Sequence, residues 1–310
     1  MKKLPRRFAA VALAAPLVLA GCAGPLGGDG GGTRVVASFY PLEYVAQRIV
    51  GEHADVVTLT SPGTEPHDLE LTVRQTAEVS DADLVVYEKG LQPAVDAAVE
   101  EHGPEQVVEV TEVIDLAPLE AEEHEGESEG EHAEHADVDG DLHFWLDPVR
   151  VAEVAGELQA RMAEVDPDNA DDYEANLEAL RGDLEKVDAE YEQGLADCRL
   201  DTVVVSHDAF GYLERYGLHF ESIAGLSPDA EPSPKHLTEL ADLIESEGVT
   251  TVFYETLASP AMAETLASDL GLDTAVLDPI EGLSDATEDE DYLSLMRSNL
   301  QSLKEANGCR

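Results

Sequence analysis

Two sets of short strand patterns, each interleaved with helix patterns, constrain this chain more than any other feature of its sequence. The strand patterns are rich in Val and end in polar or turn residues, whereas amphipathic stretches such as Leu42–Val50 and Thr72–Ser80 separate them. Because a strand–helix–strand order places successive strands parallel, we predict an α/β fold with two lobes built on mainly parallel sheets. The predicted strands are Arg34–Phe39, Asp55–Leu59, Leu84–Tyr87 and Val107–Val110, then Thr202–Ser206, Phe220–Ile223, Thr250–Tyr254 and Thr274–Leu277.

One long amphipathic pattern over residues 167–195 separates the two sets of strands. Its apolar residues recur every three or four positions, which is typical of one face of a helix. At 1.5 Å per residue such a helix is about 40 Å long, so we predict a rigid link between the lobes. The predicted domains are an N-terminal lobe over 34–150, a helical connection over 151–197 and a C-terminal lobe over 198–310.

The N-terminus has the pattern of an exported lipoprotein. Basic residues precede an apolar run that is too short to span a bilayer but suits a signal peptide over residues 1–21. The run ends in Leu-Ala-Gly-Cys, which resembles a bacterial lipobox, so we expect Cys22 to carry lipid and 22–33 to be a flexible tether. This predicts an exported chain, lipid-anchored to the outer face of the bacterial cytoplasmic membrane. The alternative is an ordinary signal peptide with an incidental Cys.

The chain has three Cys, which excludes a four-Cys zinc site and a small disulfide-framework fold. With Cys22 lipidated, Cys198 and Cys309 remain, and an oxidising compartment favours a disulfide between them over two free thiols.

An acidic segment over residues 120–141 interrupts the first lobe. It contains no Lys or Arg and cannot bury a core, so we expect a flexible loop. Acidity alone would be explained by solvation, but His124, His132 and His135 favour auxiliary metal capture because imidazole binds zinc and copper. The formal net charge of the whole chain is −49, which argues against nucleic-acid binding and suits cations.

Three other histidines and one aspartate lie at predicted strand or helix ends. His67, His143 and His207 lie in such loops, and Asp278 follows the last strand. Any one of them alone is most simply a surface or core residue. Because loops at the carboxyl ends of parallel strands converge, we expect the four side chains to form a four-coordinate zinc site.

At these residues the chain resembles the metal-specific solute-binding lipoproteins of bacterial ABC importers, in the zinc-uptake branch. The resemblance covers nearly the whole chain that follows the signal peptide. It implies two α/β lobes joined by one long helix, and His67, His143 and His207 as metal ligands with Asp278 in the fourth position. Glu65 is the alternative fourth ligand, and Asp208 and Glu255 are candidates to orient the imidazoles. The motifs are GTEPHDL from Gly63, DLHFWLDP from Asp141, VSHDAFGY from Val205, IAGLSPDAEPSP from Ile223, VFYE from Val252, and Leu277-Asp278-Pro279.

The function implied is the capture of Zn²⁺ as transported ligand and its delivery to an ABC importer permease, by a monomer without catalysis or an organic cofactor. A manganese-binding member is the first alternative, although its third ligand is usually a carboxylate where this chain has His207. A zinc hydrolase is the second, against which stands the lack of a His-Glu-x-x-His or Ser-His-Asp pattern. An adhesin or metal buffer would use the His-rich loop but leave the two lobes unexplained.

Overall fold

The computed structural model describes residues 32–118, 140–228 and 230–310. Several predictions lie outside these residues: the signal peptide, Cys22 and most of the tether, and most of the acidic loop with His124, His132 and His135. None of the helices within the described ranges is long and apolar enough to cross a membrane.

Four parallel strands form a sheet in the first half of the chain, as the alternating pattern predicts. Their spatial order is β2-β1-β3-β4. Val-rich strands suit a parallel sheet because helices cover both of its faces. The strands are β1 Thr33–Ala37, β2 Ala54–Thr58, β3 Leu84–Tyr87 and β4 Val107–Glu109.

A second four-stranded parallel sheet follows in the second half. Its order, β6-β5-β7-β8, repeats the arrangement of the first sheet, with the chain crossing over between the second and third strands. The two sheets confirm the predicted α/β fold class. The strands are β5 Thr202–Val205, β6 His219–Ser222, β7 Thr251–Tyr254 and β8 Asp273–Val276.

Nine α-helices connect and cover these strands in the described part of the chain. Proline in the first turn, where no backbone N–H is needed, starts α1, α3, α5 and α7. The helices are α1 Tyr40–Val50, α2 Val73–Ser80, α3 Pro93–His102, α4 Val110–Val113, α5 Pro148–Val165, α6 Ala170–Leu195, α7 Pro234–Glu247, α8 Ala261–Leu270 and α9 Tyr292–Asn307.

Helix α6 is the long helix that the sequence predicts. A 3₁₀ turn over Pro167–Asn169 precedes its 26 residues, which rise about 39 Å. It packs against α1 and α5 from the first half and against α9 from the second. Its apolar face is buried over its whole length, at Tyr173, Leu177, Leu180, Leu184, Val187, Tyr191 and Leu195.

One apolar core joins the two sheets. Val35 of β1 and Val205 of β5 belong to the same cluster of buried side chains, together with the inner faces of α1, α5, α6 and α9. The outer face of each sheet has a separate core, under α2 and α3 in the first half and under α7 and α8 in the second. The two halves are therefore held together by apolar packing as well as by the covalent connection of the chain.

The predicted disulfide between Cys198 and Cys309 is confirmed. It joins the segment after α6 to the segment after α9. Next to the disulfide, Arg199 N and Leu200 N both donate hydrogen bonds to Asn307 O at the end of α9. The disulfide thus closes the second half of the chain into a covalent loop.

Replacing both cysteines by serine should lower the free energy of unfolding by about 4–5 kcal/mol, because the bridge constrains a loop of that size in the unfolded chain. The sequence separation that it closes is 111 residues. Denaturant unfolding of the oxidised protein and of the Cys198→Ser/Cys309→Ser variant measures the difference. Equal midpoints with equal slopes would contradict a stabilising role.

Candidate metal centre

The two halves bring four potential metal ligands together. His67 lies between β2 and α2, and His143 immediately precedes a 3₁₀ turn and α5. His207 follows β5 and Glu281 follows β8, so both lie at the carboxyl ends of parallel strands. One donor atom from each of these four residues lies within 4.8 Å of the others.

The three distances from the carboxylate to the imidazoles match the edges of a zinc tetrahedron. From Oε1 of Glu281, the Nε2 atoms of His67, His143 and His207 are 3.4, 3.6 and 3.4 Å away. Four donors bonded to one zinc ion at about 2.0–2.1 Å lie about 3.4 Å apart. A direct N–H···O hydrogen bond would be about 2.7–3.2 Å long. The spacing therefore fits a shared cation better than pairwise hydrogen bonding.

The site is closed to solvent. The side chains of His67, His143, His207 and Glu281 are 7%, 1%, 0% and 0% exposed. Among the described residues, Nε2 of His143, Nε2 of His207 and both Glu281 oxygens are buried without a hydrogen-bond partner. Buried polar atoms are costly when unpaired, so a cation among them would satisfy what the protein leaves open.

Two carboxylates fix the orientation of two imidazoles. Asp141 Oδ1 lies 2.8 Å from Nδ1 of His143, and Glu255 Oε1 lies 3.0 Å from Nδ1 of His207. Ser206 Oγ donates to the same Glu255 oxygen at 2.7 Å. Because an ionised carboxylate can only accept, each Nδ1 carries a proton, which leaves Nε2 as the nitrogen that could bind a metal.

Glu281, and not Asp278, completes the group. The carboxylate of Asp278 accepts hydrogen bonds from Thr256 Oγ1 through Oδ2 and from Ile280 N through Oδ1, both at 2.8 Å. Both oxygens of Asp278 therefore accept hydrogen bonds from its own loop and from Thr256. The side chain of Glu281, three residues later, is the one that lies next to the histidines. The sequence analysis placed Asp278 in the fourth position, whereas the structure groups Glu281 with the three histidines.

The turn has an unusual backbone conformation. Ile280 has φ = 61°, in the left-handed region where β-branched residues are rare, and its side chain is fully buried. Such a conformation costs on the order of 1–3 kcal/mol and persists only where the surroundings hold it. The unusual conformation lies immediately before Glu281.

The remaining predicted residues divide between the site and its surroundings. Glu65 is not in the four-residue group; its Oε1 accepts from His67 N at 3.0 Å. Glu255 lies beside Nδ1 of His207, where it could orient that imidazole, whereas Asp208 is exposed. Sequence reasoning missed Asp141, whose position two residues before His143 in Asp-Leu-His was the available clue. It also missed Glu281, just beyond the Leu277-Asp278-Pro279 motif.

The residues of the site shift one another's pKa values. Burial opposes ionisation of Glu281, but the imidazoles of His207 and His67, both 3.4 Å from its Oε1, outweigh burial and hold the pKa of Glu281 well below the usual range. Burial would lower the pKa of His207, yet Glu255 and Glu281 raise it well above the usual range, and Glu281 raises that of His67. Burial, followed by repulsion from Glu281, raises the pKa of Glu65 to about 8.

Fold and site together define a two-sheet α/β protein with a buried site that could hold a metal ion. A family model described as "ZnuA: Zinc-uptake complex component A periplasmic" matches residues 35–306. This chain belongs to that family.

Individual relatives agree with the family match. The chain is 33% identical to the zinc-binding lipoprotein AdcA of Streptococcus pneumoniae, over 98% of this chain but only 61% of that relative. It is 36% identical to the high-affinity zinc uptake system protein ZnuA of Bacillus subtilis, over 88% of this chain and 87% of the relative. The crystal structure of the Zn(II)-bound ZnuA-like domain of Streptococcus pneumoniae AdcA superposes with a TM-score of 0.73 at 30% identity, over 89% of this chain and 99% of that domain.

Zinc affinity should rise with pH through the histidine range. Zinc needs neutral imidazoles, and the raised pKa values of His67 and His207 mean that protons compete up to and beyond pH 6.5. Each displaced proton contributes up to about tenfold in affinity per pH unit below its pKa. Chelator-competition titrations between pH 5 and pH 8 measure the slope. A constant affinity across this range would argue against imidazole ligands.

Proposed function

We propose that this chain captures Zn²⁺ outside the cytoplasmic membrane and delivers it to the permease of an ABC importer. The observation that carries the proposal is the buried group of three imidazoles and one carboxylate, in which the carboxylate lies 3.4, 3.6 and 3.4 Å from the three Nε2 atoms. Membership of the zinc-uptake family supports the same cargo and the same kind of partner. The zinc is cargo here, and no organic cofactor is needed for this role.

The donor set favours zinc over manganese. Imidazole nitrogen suits zinc, whereas manganese prefers oxygen donors and usually more of them. Three of the four donors here are nitrogens, including His207. Metal analysis of the protein purified without added metal tests the choice, and recovery of manganese in preference to zinc would overturn it.

The same geometry argues for binding without catalysis. A catalytic zinc site keeps one position open for water or substrate, usually with three protein ligands. Four protein donors would fill a tetrahedron, and their side chains are almost wholly buried. Zinc-dependent hydrolysis of generic esters or phosphoesters would revive the hydrolase alternative.

The placement of the protein follows from the sequence in this proposal. We take Cys22 as the lipid attachment point, residues 22–33 as the tether, and the outer face of the cytoplasmic membrane as the location. The lipoprotein name of the AdcA relative is consistent with such an anchor. The protein would act as a monomer, with the two halves of one chain forming the whole site.

Loss of a ligand should weaken zinc binding by more than about 100-fold, since even residues that only orient ligands are worth about 10–100-fold. We expect this for His67→Ala, His143→Ala, His207→Ala and Glu281→Gln in calorimetric competition titrations. His219→Ala is the matched control, because that histidine is 52% exposed and pairs with Glu214 and Glu221 away from the site.

The comparison of Glu281→Gln with Asp278→Asn tests the assignment of the fourth ligand. Asp278→Asn removes the charge but keeps an acceptor for Ile280 N, so its effect should be the smaller of the two. A larger loss for Asp278→Asn would return the ligand role to Asp278.

Deleting residues 120–139 should leave tight zinc binding nearly intact and slow uptake only when zinc is scarce. The four donors of the site are held in place by the fold, whereas the acidic composition of residues 120–139 predicts a segment that pays an ordering cost when it binds. Titration of the deletion variant and zinc-limited growth of cells carrying it measure the two effects. A deletion that abolished tight binding would show that His124, His132 and His135 belong to the main site.

A further inference from the structure

Glu281 depends on a turn that is held by hydrogen bonds on several sides. Within the second half, Asn299 of α9 binds both backbone groups of Asp278: its Oδ1 accepts from Asp278 N at 2.9 Å and its Nδ2 donates to Asp278 O at 2.6 Å. The Asp278 carboxylate accepts a hydrogen bond from Ile280 N, the contact that defines an Asx turn. These contacts fix the start of the turn.

The next carbonyl of the turn is held from the other half of the molecule. The indole Nε1 of Trp145 donates to Pro279 O at 2.7 Å, and this bond is buried. Trp145 lies two residues after His143, and its ring centroid is 5.2 Å from the imidazole centroid. One side chain therefore contacts both the loop that carries His143 and the loop that carries Glu281.

Trp145 is itself firmly placed. It is fully buried and packs edge-on against Phe39 at 4.8 Å. Its carbonyl accepts a hydrogen bond from Tyr292 Oη, at the start of α9, at 2.6 Å. An indole with these contacts has little freedom, so the position of its N–H is determined by the surrounding core.

We propose that Trp145 is a positioning residue for the metal site. By donating a hydrogen bond to the carbonyl of Pro279, it fixes the position of Glu281 relative to His143. The inference rests on the proposed function of the site and adds the residue that aligns its only carboxylate ligand with the histidines. Ile280, the single residue between the held carbonyl and Glu281, has the left-handed backbone. Release of the Pro279 carbonyl would let this turn relax and move the Glu281 oxygens away from the tetrahedral spacing.

The test is a double-mutant cycle on zinc affinity. Trp145→Phe keeps an aromatic ring but removes the N–H donor, and it should weaken zinc binding about 10–100-fold, as expected for a residue that orients a ligand. In a Glu281→Gln background the same substitution should change the affinity by less than about twofold, because the ligand that Trp145 positions has already been lost. Both measurements use calorimetric chelator competition on the full folded chain.

Tyr191→Phe is the matched control. It also removes a buried aromatic donor from a backbone carbonyl, since Tyr191 Oη donates to Met296 O at 2.6 Å, but it lies in the core between α6 and α9. It should lower stability without changing zinc affinity. Should Trp145→Phe fail to fold, the benzothiophene analogue of tryptophan replaces the N–H by sulfur at nearly the same size.

The outcomes separate this inference from the proposed function. If the unmodified chain binds no zinc tightly, both are overturned. If it binds zinc but Trp145→Phe behaves like Tyr191→Phe, or if the losses from Trp145→Phe and Glu281→Gln simply add, the positioning role alone is overturned. Weakened binding that disappears in the Glu281→Gln background supports it.

Discussion

An excess of buried negative charge is the constraint on which this structure depends. Asp141, Glu255 and Glu281 are buried within hydrogen-bond or near-contact distance of the histidines, and no Lys or Arg is buried anywhere in the described ranges. Burying carboxylates without a compensating cation is costly. Without a metal ion, positive charge comes from protons on the imidazoles, which is why the pKa values of His67 and His207 are raised. A divalent metal ion among the three Nε2 atoms and Glu281 would replace those protons and supply the positive charge instead.

The second requirement is that donors from distant parts of the chain keep their spacing. His67 and His143 come from the first half, and His207 and Glu281 come from the second. The shared apolar core under α6 holds these halves in one arrangement. Local contacts then refine the arrangement: Asp141 and Glu255 orient two imidazoles, and the turn at Ile280 directs the carboxylate. The coarse placement comes from packing and the fine placement from hydrogen bonds.

The fold was predictable from the sequence because its evidence is local. Short Val-rich runs and one long apolar stripe mark eight strands and α6 to within a few residues of where they lie. The three histidines were predictable for a related reason, since loops at strand ends converge in parallel sheets. Asp278 was a reasonable choice by the same rule. What the rule does not contain is the left-handed conformation of Ile280, which depends on Asn299 and Trp145, residues 19 and 135 positions away along the chain. Asp141 was missed although its contact with His143 is local, only two residues along the chain.

The single core between the sheets links metal affinity to the integrity of the whole chain. The four donors are assembled only while both halves are packed, so the measured dissociation constant is the intrinsic one divided by the fraction of molecules in that packed state. Residues far from the metal, such as Leu184 and Val187 on α6, therefore affect zinc affinity only when their loss destabilises the chain enough to lower the fraction of packed molecules. The property that such residues support is cooperative unfolding. If the two halves separated before either of them unfolded, the four donors would already be dispersed at that first step.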